Sequence, residues 1–139
     1  MPKISDPKDF ILQNTLAVVG ATNDRTKYGN IVYRNLRGKG YTVYAVNPKV
    51  TEVEGDPCYA NLHSLPGPVD GIVTVVPPPV TEKVIREAAE IGIARVWMQE
   101  GSESAEAITY AETHGMNTIY GQCVMVEANY RSIWQAEKG

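Results

Sequence analysis

Short apolar runs alternate with amphipathic helical patterns along most of the chain. This alternation limits the number of folds that the chain can adopt more than any other feature of the sequence. Several runs are apolar at nearly every position, which is typical of strands that are buried on both faces. Strands that alternate with helices in this way form a parallel sheet with helices on both sides. The sequence therefore predicts an α/β fold, a doubly wound parallel sheet of Rossmann-like type, in one domain over residues 1–139.

The patterns predict five strands and four helices, followed by a partly helical tail. The predicted strands are Leu16–Val19, Thr42–Val46, Gly71–Val76, Arg95–Gln99 and Thr118–Tyr120. The predicted helices are Asp6–Gln13, Tyr28–Arg37, Thr81–Ile91 and Ser104–His114, with the tail over Val124–Gly139. The Gly- and Pro-rich stretch Val50–Pro68 is expected to have only weak structure.

Charge is distributed unevenly, although the net charge of the whole chain is only -3. Residues 1–50 hold eight Lys/Arg and three Asp/Glu, whereas residues 51–139 hold five Lys/Arg and thirteen Asp/Glu. A positive field in the first part favours an anionic ligand. The acidic total, without a basic stripe or interleaved aromatic residues, argues against nucleic acid as a partner.

The sequence also indicates a cellular compartment. No apolar run approaches the ~20 residues that span a bilayer, and the polar N-terminal stretch lacks the apolar core of a signal peptide. Two cysteines, Cys58 and Cys123, are too few for a disulfide scaffold. We therefore expect a cytoplasmic protein without membrane contact. With two distant histidines, these cysteines have no metal-ligand spacing, so no metal site is predicted.

Ligands of open parallel sheets bind beyond the carboxyl ends of the strands, where the strand order reverses. This rule makes four strand ends the candidate positions for a functional site. They are Gly20–Ala21, Asn47–Lys49, Pro77–Pro79 and Glu100–Gly101.

The loop after the first predicted strand suits a phosphate group. Gly20 allows close approach of the backbone, and the free N–H groups at the start of the next helix favour negative charge. Four loop side chains add donors or positive charge: Thr22, Asn23, Arg25 and Lys27. The G-x-G-x-x-G fingerprint of dinucleotide sites is absent, because the next glycine is Gly29. An ordinary strand-to-helix turn is the alternative.

The end of the second predicted strand bears on the kind of nucleotide. An NAD site usually has Asp or Glu about 20 residues beyond its glycines, where it binds the ribose 2′-hydroxyl. Here the strand ends in Asn47-Pro48-Lys49, with a lysine and no carboxylate. A cation suits a ribose that carries a phosphate, as in NADP or coenzyme A. The alternative is a turn with a solvated lysine.

The third and fourth strand ends offer apolar and polar contacts. The three prolines of "VVPPPV" favour a flat apolar shelf, although the start of the following helix would also suit proline. At the fourth end, Met98 is expected in or beside the cleft. Glu100 is expected either to accept a hydrogen bond from a ligand or to be solvated, and Ser102 and Ser104 are expected to be helix N-caps.

Six segments in order resemble the small single-domain coenzyme A-binding proteins, which are similar to the CoA-binding domain of the succinyl-CoA synthetase α subunit. The segments are "VVGAT", "YGNIVYRNL", "GYTVYAVNPK", "VDGIVTVVPPP", "ARVWMQEG" and "GQCVMVE", and the resemblance covers roughly Leu12 to Tyr130. It implies a Rossmann-like domain whose ligand is coenzyme A or an acyl-CoA.

The resemblance also implies a role for each strand end. The residues around the pyrophosphate would be Gly20, Ala21, Thr22, Asn23, Tyr28 and Gly29. Those at the adenosine end would be Val46, Asn47, Pro48 and Lys49, with Lys49 on the 3′-phosphate. Val75, Val76 and Pro77 would line the path of the nucleotide. Met98 and Glu100 would lie toward the pantetheine.

Three functions remain open at this point. The first is a module that binds coenzyme A or an acyl-CoA without chemistry of its own. The second is an NADP-linked oxidoreductase or redox sensor, and the third is an acyl-CoA ligase subunit that needs a partner chain. A homo-oligomer also remains open. Cys123 follows a strand end, where either a mixed disulfide with the ligand thiol or an inert, buried thiol is consistent with the sequence.

Overall fold

The computed structural model describes residues 5–138, which form seven strands and six α-helices. The strands are β1 Thr15–Val19, β2 Thr42–Val46, β3 Glu52–Val53, β4 Asp56–Tyr59, β5 Gly71–Thr74, β6 Arg95–Met98 and β7 Asn117–Ile119. The helices are α1 Pro7–Ile11, α2 Tyr28–Gly38, α3 Pro78–Glu90, α4 Ala105–Thr113, α5 Val124–Glu127 and α6 Arg131–Lys138. The first residues of the polar N-terminal stretch, 1–4, and the last residue of the predicted tail, Gly139, lie outside the described residues.

The strands form one sheet in the order β3-β4-β2-β1-β5-β6-β7. All neighbours are parallel except β3 and β4, which form an antiparallel hairpin at the edge. From β1 the chain builds outward through β2 and β4, and then crosses to the other side for β5, β6 and β7. The strand order therefore reverses between β1 and β5, as in a Rossmann fold. The predicted fold class is confirmed.

The core is divided between the two faces of the sheet. Along β1, Leu16 and Val18 face the helices α2 and α5, whereas Ala17 and Val19 face α3 and α4. These four side chains are at most 5% exposed. Burial on both faces explains why the strand is apolar at successive positions rather than at alternate ones.

The β3–β4 hairpin lies inside the stretch Val50–Pro68, where weak structure was predicted, and that prediction is wrong for this part. β4 joins the parallel sheet through the pairs Ala45–Cys58 and Val46–Tyr59. Its turn uses Glu54 and Gly55, with φ angles of 52° and 81°. Pairing with β2 stabilises a four-residue strand that has little apolar pattern of its own.

The proline triplet starts helix α3, so the prediction of a flat three-proline shelf is wrong. Pro77 is the N-cap residue, and Pro78 and Pro79 are the first two residues of the helix. Proline suits these positions because its fixed φ is helical and its missing N–H would have no partner there. β5 ends at Thr74, two residues earlier than predicted, although the Val75 N–H still donates to the Val19 carbonyl at 2.8 Å.

Helix α3 is confirmed, although it begins three residues before the predicted start at Thr81. The other predicted elements are confirmed, with ends within two residues of those observed. Helices α5 and α6 account for the partly helical tail. In residues 5–138 the longest helix is α3, with 13 residues. None of the helices in this range has both the length and the apolar character that a bilayer crossing requires.

Candidate functional site

A cleft of about 610 Å³ opens beyond the carboxyl ends of β1, β2 and β5, at the point where the strand order reverses. Its volume lies within the usual range of small-molecule sites, roughly 300–1,000 Å³. The lining residues come from the loops after these strands, from the first turn of α2, from residues 60–62 and from α3. They are Val19, Gly20, Thr22, Lys27, Tyr28, Gly29, Val46, Asn47, Pro48, Lys49, Ala60, Asn61, Leu62, Val75, Val76, Pro77, Val80, Val84 and Glu87.

Two glycines bring the start of α2 against the end of β1. A Cβ on Gly29 would overlap the carbonyl oxygen of Gly20, and a Cβ on Gly20 would overlap the carbonyl oxygen of Val75. Gly20 also has a φ of +104°, which disfavours residues with a side chain. Gly29 thus allows the close packing of helix on strand that the third glycine of a dinucleotide fingerprint provides, but at a different spacing.

The two helices that begin at the cleft differ in their capacity to bind an anion. The first two N–H groups of α2, of Tyr28 and Gly29, have no acceptor within the helix, and its N-cap residue, Lys27, makes no side-chain cap. The next two, of Asn30 and Ile31, donate to the Lys27 carbonyl. In contrast, α3 begins with Pro78 and Pro79, which have no N–H. The next N–H groups, of Val80 and Thr81, both donate to the Pro77 carbonyl. An anion in the cleft is therefore stabilised at the start of α2 and not at the start of α3.

Two lysines add positive charge at the cleft. Lys27 lies at the start of α2 and Lys49 follows β2, and both are exposed. Among residues 5–138 neither forms an ion pair. The loop that carries Lys49 is fixed by Asn47, whose Oδ1 accepts from the Lys49 N–H and whose Nδ2 donates to the Ala21 carbonyl, both at 2.9 Å. Both ammonium groups can therefore contact an anion that binds in the cleft.

Side chains at the β3–β4 turn fasten the β1–α2 loop to the hairpin. Asn23 Nδ2 donates to the Glu52 carbonyl at 2.8 Å, and its Oδ1 accepts from the Glu54 N–H at 3.0 Å. Glu54 forms an ion pair with Arg25 at 2.5 Å and accepts from Asn30 Nδ2 at 2.9 Å. Asn23 and Arg25 are therefore engaged in holding the loop in place.

The pair of Arg25 and Glu54 leads to a prediction about pH. The hydrogen bonds from Arg25 and Asn30 lower the pKa of Glu54 from 4.5 to about 2. A lowered pKa in the folded state means that the stabilisation is complete above pH 4.5 and is lost as the pH falls toward 2. Glu54→Gln is expected to reduce the pH dependence of the free energy of unfolding in this window. Urea unfolding at stepped pH measures it.

The matched control for this prediction is Glu52→Gln, in the same hairpin. The Glu52 side chain is exposed and makes no ion pair or side-chain hydrogen bond among the described residues. Its variant is expected to follow the native curve. A Glu54→Gln curve parallel to the native one would contradict the prediction.

Comparison with known proteins identifies a protein family that matches most of this chain. Residues 14–129 match a family described as "CoA binding domain". The chain belongs to this family. The resemblance to coenzyme A-binding proteins that the six sequence segments indicated is thereby confirmed.

Two of the curated relatives are named as ADP-forming acetate–CoA ligases. Ligase I of Archaeoglobus fulgidus is 34% identical over 119 residues, which is 78% of this chain and 17% of the relative. The α subunit of ligase II of Pyrococcus furiosus is 34% identical over 126 residues, which is 83% of this chain and 28% of the relative. The chain thus spans less than a third of the length of either ligase.

One solved structure of similar size matches most of this chain. A conserved hypothetical protein of Pyrococcus furiosus is 44% identical and superposes with a TM-score of 0.79. The match covers 82% of this chain and 98% of that one. This fold therefore also exists as a chain of nearly the same extent.

Five residues that the sequence analysis assigned to the ligand lie outside the lining of the cleft. They are Ala21, Asn23, Arg25, Met98 and Glu100. Ala21 and Met98 are fully buried in the core on opposite faces of the sheet. Glu100 is exposed at the end of β6. The other assigned residues of the CoA binding domain all line the cleft.

Seven lining residues were not assigned to the ligand from the sequence. One is Val19, the last residue of β1, and the other six lie on two segments. These six are Ala60, Asn61, Leu62, Val80, Val84 and Glu87. The first segment follows β4, which was not predicted as a strand. In the second, Val80, Val84 and Glu87 follow the spacing of one helix face, and this signal was visible once α3 was extended to its true start.

Residues beyond β6 have structural roles in this CoA binding domain. The prediction that Ser104 is an N-cap is confirmed, since its Oγ accepts from the Ala107 N–H at 3.0 Å. The same prediction is wrong for Ser102, which is buried and hydrogen-bonded to Thr74 at 2.9 Å.

Neither of the two cysteines, Cys58 and Cys123, lines the cleft. Burial raises the pKa of Cys58, which favours its unreactive thiol form.

Proposed function

We propose that this chain binds coenzyme A or an acyl-CoA in the cleft and holds it without chemistry of its own. The observation that carries the proposal is Lys49, an exposed cation beyond β2, where an NAD site has a carboxylate. It forms no ion pair with the residues that the structure describes. A 3′-phosphate on the ribose would supply the matching anion. The family match supports the same ligand class.

The proposed arrangement assigns each part of the ligand to one part of the cleft. The pyrophosphate lies at the start of α2, against Gly20 and Gly29, with Lys27 nearby. The adenosine lies beyond β2, with its 3′-phosphate on Lys49. The pantetheine arm passes along Val76 and Pro77 and leaves toward the end of β6. Glu100 there is exposed and free to accept a hydrogen bond, while Met98 supports this end from the core.

The side chains of the cleft favour binding over reaction. Its lining, within the described residues, contains no cysteine or histidine. Both the thiol nucleophile and the imidazole base that would drive acyl transfer are thus missing from these walls. The lining offers instead aliphatic side chains, amides and two lysines, together with Thr22, Tyr28 and the carboxylate of Glu87, and this set suits recognition.

Calorimetric titration tests the ligand class. We expect coenzyme A to bind more tightly than dephospho-CoA and NADH at equal ionic strength, because these two lack a ribose phosphate for Lys49. We also expect it to bind more tightly than NADPH, because the proposed arrangement sets Lys49 against a 3′-phosphate, whereas the ribose phosphate of NADPH is on the 2′-oxygen. Tighter binding of NADPH would contradict the proposal and favour the NADP-linked oxidoreductase or redox sensor. Native mass spectrometry of protein purified without added ligand gives an independent check, with a retained mass of coenzyme A or an acyl-CoA expected.

A second candidate function is that of a ligase subunit acting with a partner chain. The observation that favours it is the similarity to a protein named as the α subunit of an ADP-forming acetate–CoA ligase. Pull-down from the native cells, followed by an assay of the captured complex for ADP formation from ATP, acetate and coenzyme A, tests this role. Light scattering of the purified chain measures its mass and shows whether it forms a homo-oligomer without a partner chain. Recovery of the chain alone would argue against the ligase role.

A further inference from the structure

One end of the cleft forms an apolar slot between the 60–62 segment and α3. Leu62 is buried at its base, and Val80 and Val84 of α3 form one wall with helical spacing. Val80 is 41% exposed, although it is aliphatic and belongs to a cleft wall. Pro48 of the β2 loop lines the same cleft. An apolar wall left open in this way suits a flat, weakly polar ring.

A carboxylate with one unused oxygen lines this slot. Glu87 Oε2 accepts from the backbone N–H of His63 at 3.0 Å and lies 2.6 Å from His63 Nδ1. A carboxylate only accepts, so Nδ1 carries the proton of this contact. Glu87 Oε1 has no hydrogen-bond partner among residues 5–138, and the side chain is only 19% exposed. The side chain is thus fixed, with one acceptor to spare.

An amide with an unused donor lies two residues before His63. Asn61 Oδ1 accepts from the N–H and the Oγ of Ser64, both at 2.9 Å. The bond from the Ser64 N–H and the reciprocal bond from the Asn61 N–H to Ser64 Oγ, at 3.2 Å, form a capping box, which fixes the orientation of the amide. The Nδ2 group donates to no acceptor within the part of the chain that the structure describes. Asn61 and Glu87 line the same cleft, and the bond from the His63 N–H to Glu87 ties the segment that carries Asn61 to α3.

We propose that Asn61 and Glu87 recognise the Watson–Crick edge of an adenine base held in this slot. The Glu87 carboxylate accepts from the exocyclic N6 amine, and Asn61 Nδ2 donates to N1. A hypoxanthine or guanine base would set a carbonyl oxygen against the carboxylate and an N–H against the amide donor. The pair therefore selects adenine over the other purines. This inference rests on the proposed function, because it names the base of the same ligand.

The test compares coenzyme A with its hypoxanthine analogue, in which a carbonyl replaces the N6 amine. The native protein is expected to bind coenzyme A about tenfold or more tightly, because mismatched groups would be left unpaired. In Glu87→Gln, the amide places a donor where the analogue has its carbonyl, so most of this preference is expected to be lost. Asn61→Asp keeps the capping oxygen but replaces the donor by an acceptor. The double variant is expected to reverse the preference.

The control is Glu90→Gln, one turn further along α3, where the side chain is exposed and lies outside the lining. It is expected to keep the native preference. Each variant is also titrated with dephospho-CoA, and its preference for coenzyme A over this compound should stay as in the native protein. Equal binding of coenzyme A and the hypoxanthine analogue by the native protein would overturn the base assignment alone. Failure of every coenzyme A compound to bind would overturn the proposed function itself.

Discussion

Lys49→Ala is expected to weaken the binding of coenzyme A about tenfold or more at low salt, while the affinity for dephospho-CoA changes little. A charge-assisted hydrogen bond contributes about 1.5–3 kcal/mol, and 1.4 kcal/mol corresponds to about tenfold in affinity. The lysine is exposed, so the difference should shrink as salt screens it. Titration of both ligands at two salt concentrations measures the effect.

Lys83→Ala is the matched control for this substitution. Lys83 is an exposed lysine of α3 that does not line the cleft, so its removal changes the net charge of the protein by the same amount. Its variant is expected to bind both ligands like the native protein. An equal loss of affinity for both ligands in Lys49→Ala would mean that the lysine does not contact the 3′-phosphate.

Gly29→Ala is expected to lower the free energy of unfolding by about 1–3 kcal/mol and to weaken coenzyme A binding. The added methyl group would overlap the carbonyl oxygen of Gly20, which is backbone and cannot rotate away. The start of α2 must then move from the end of β1, and its N–H groups move with it. Denaturant unfolding measures the stability, and calorimetry measures the affinity.

Gly38→Ala, on the same helix, is expected to change the free energy of unfolding in the opposite direction. A Cβ at Gly38, the last residue of α2, meets nothing within 4 Å. Alanine restricts the unfolded chain more than glycine does, so the variant should be more stable by about 0.5–1 kcal/mol. Its affinity for coenzyme A should match the native value. Equal stability changes in the two variants would contradict the close packing at Gly29.

The sheet was predictable because each central strand is buried on both faces and therefore has an apolar run that turns interrupt. The β3–β4 hairpin was not predictable in this way. Its strands have two and four residues, and Pro57 lies inside β4. Their stability comes from the pairing of β4 with β2 and of β3 with β4, and from the bonds of Glu54 to Arg25 and Asn30. These contacts join residues that are far apart in the sequence, so no local sequence pattern predicts them.

The cleft was partly predictable for a related reason. Strand ends at the reversal point are set by topology, and so the residues after β1, β2 and β5 were found. The directions in which individual side chains point could not be predicted from the sequence. Arg25 suits a phosphate by its charge, yet the turn of the hairpin places Glu54 beside it. Met98 lies on a strand that is apolar on both faces, where the pattern does not tell which side chains point toward the edge.

The two proline residues at the start of α3 have a consequence for how a carrier molecule can be seated. In the proposed arrangement, a ligand turned end for end would set its diphosphate against a helix whose first two residues have no N–H. That insertion direction would therefore be the less stable one. Any acyl group attached to the far end of the carrier would always emerge on the same side of the domain. A protein that approaches from that side would meet the cargo, and one that approaches from the other would meet only the adenosine.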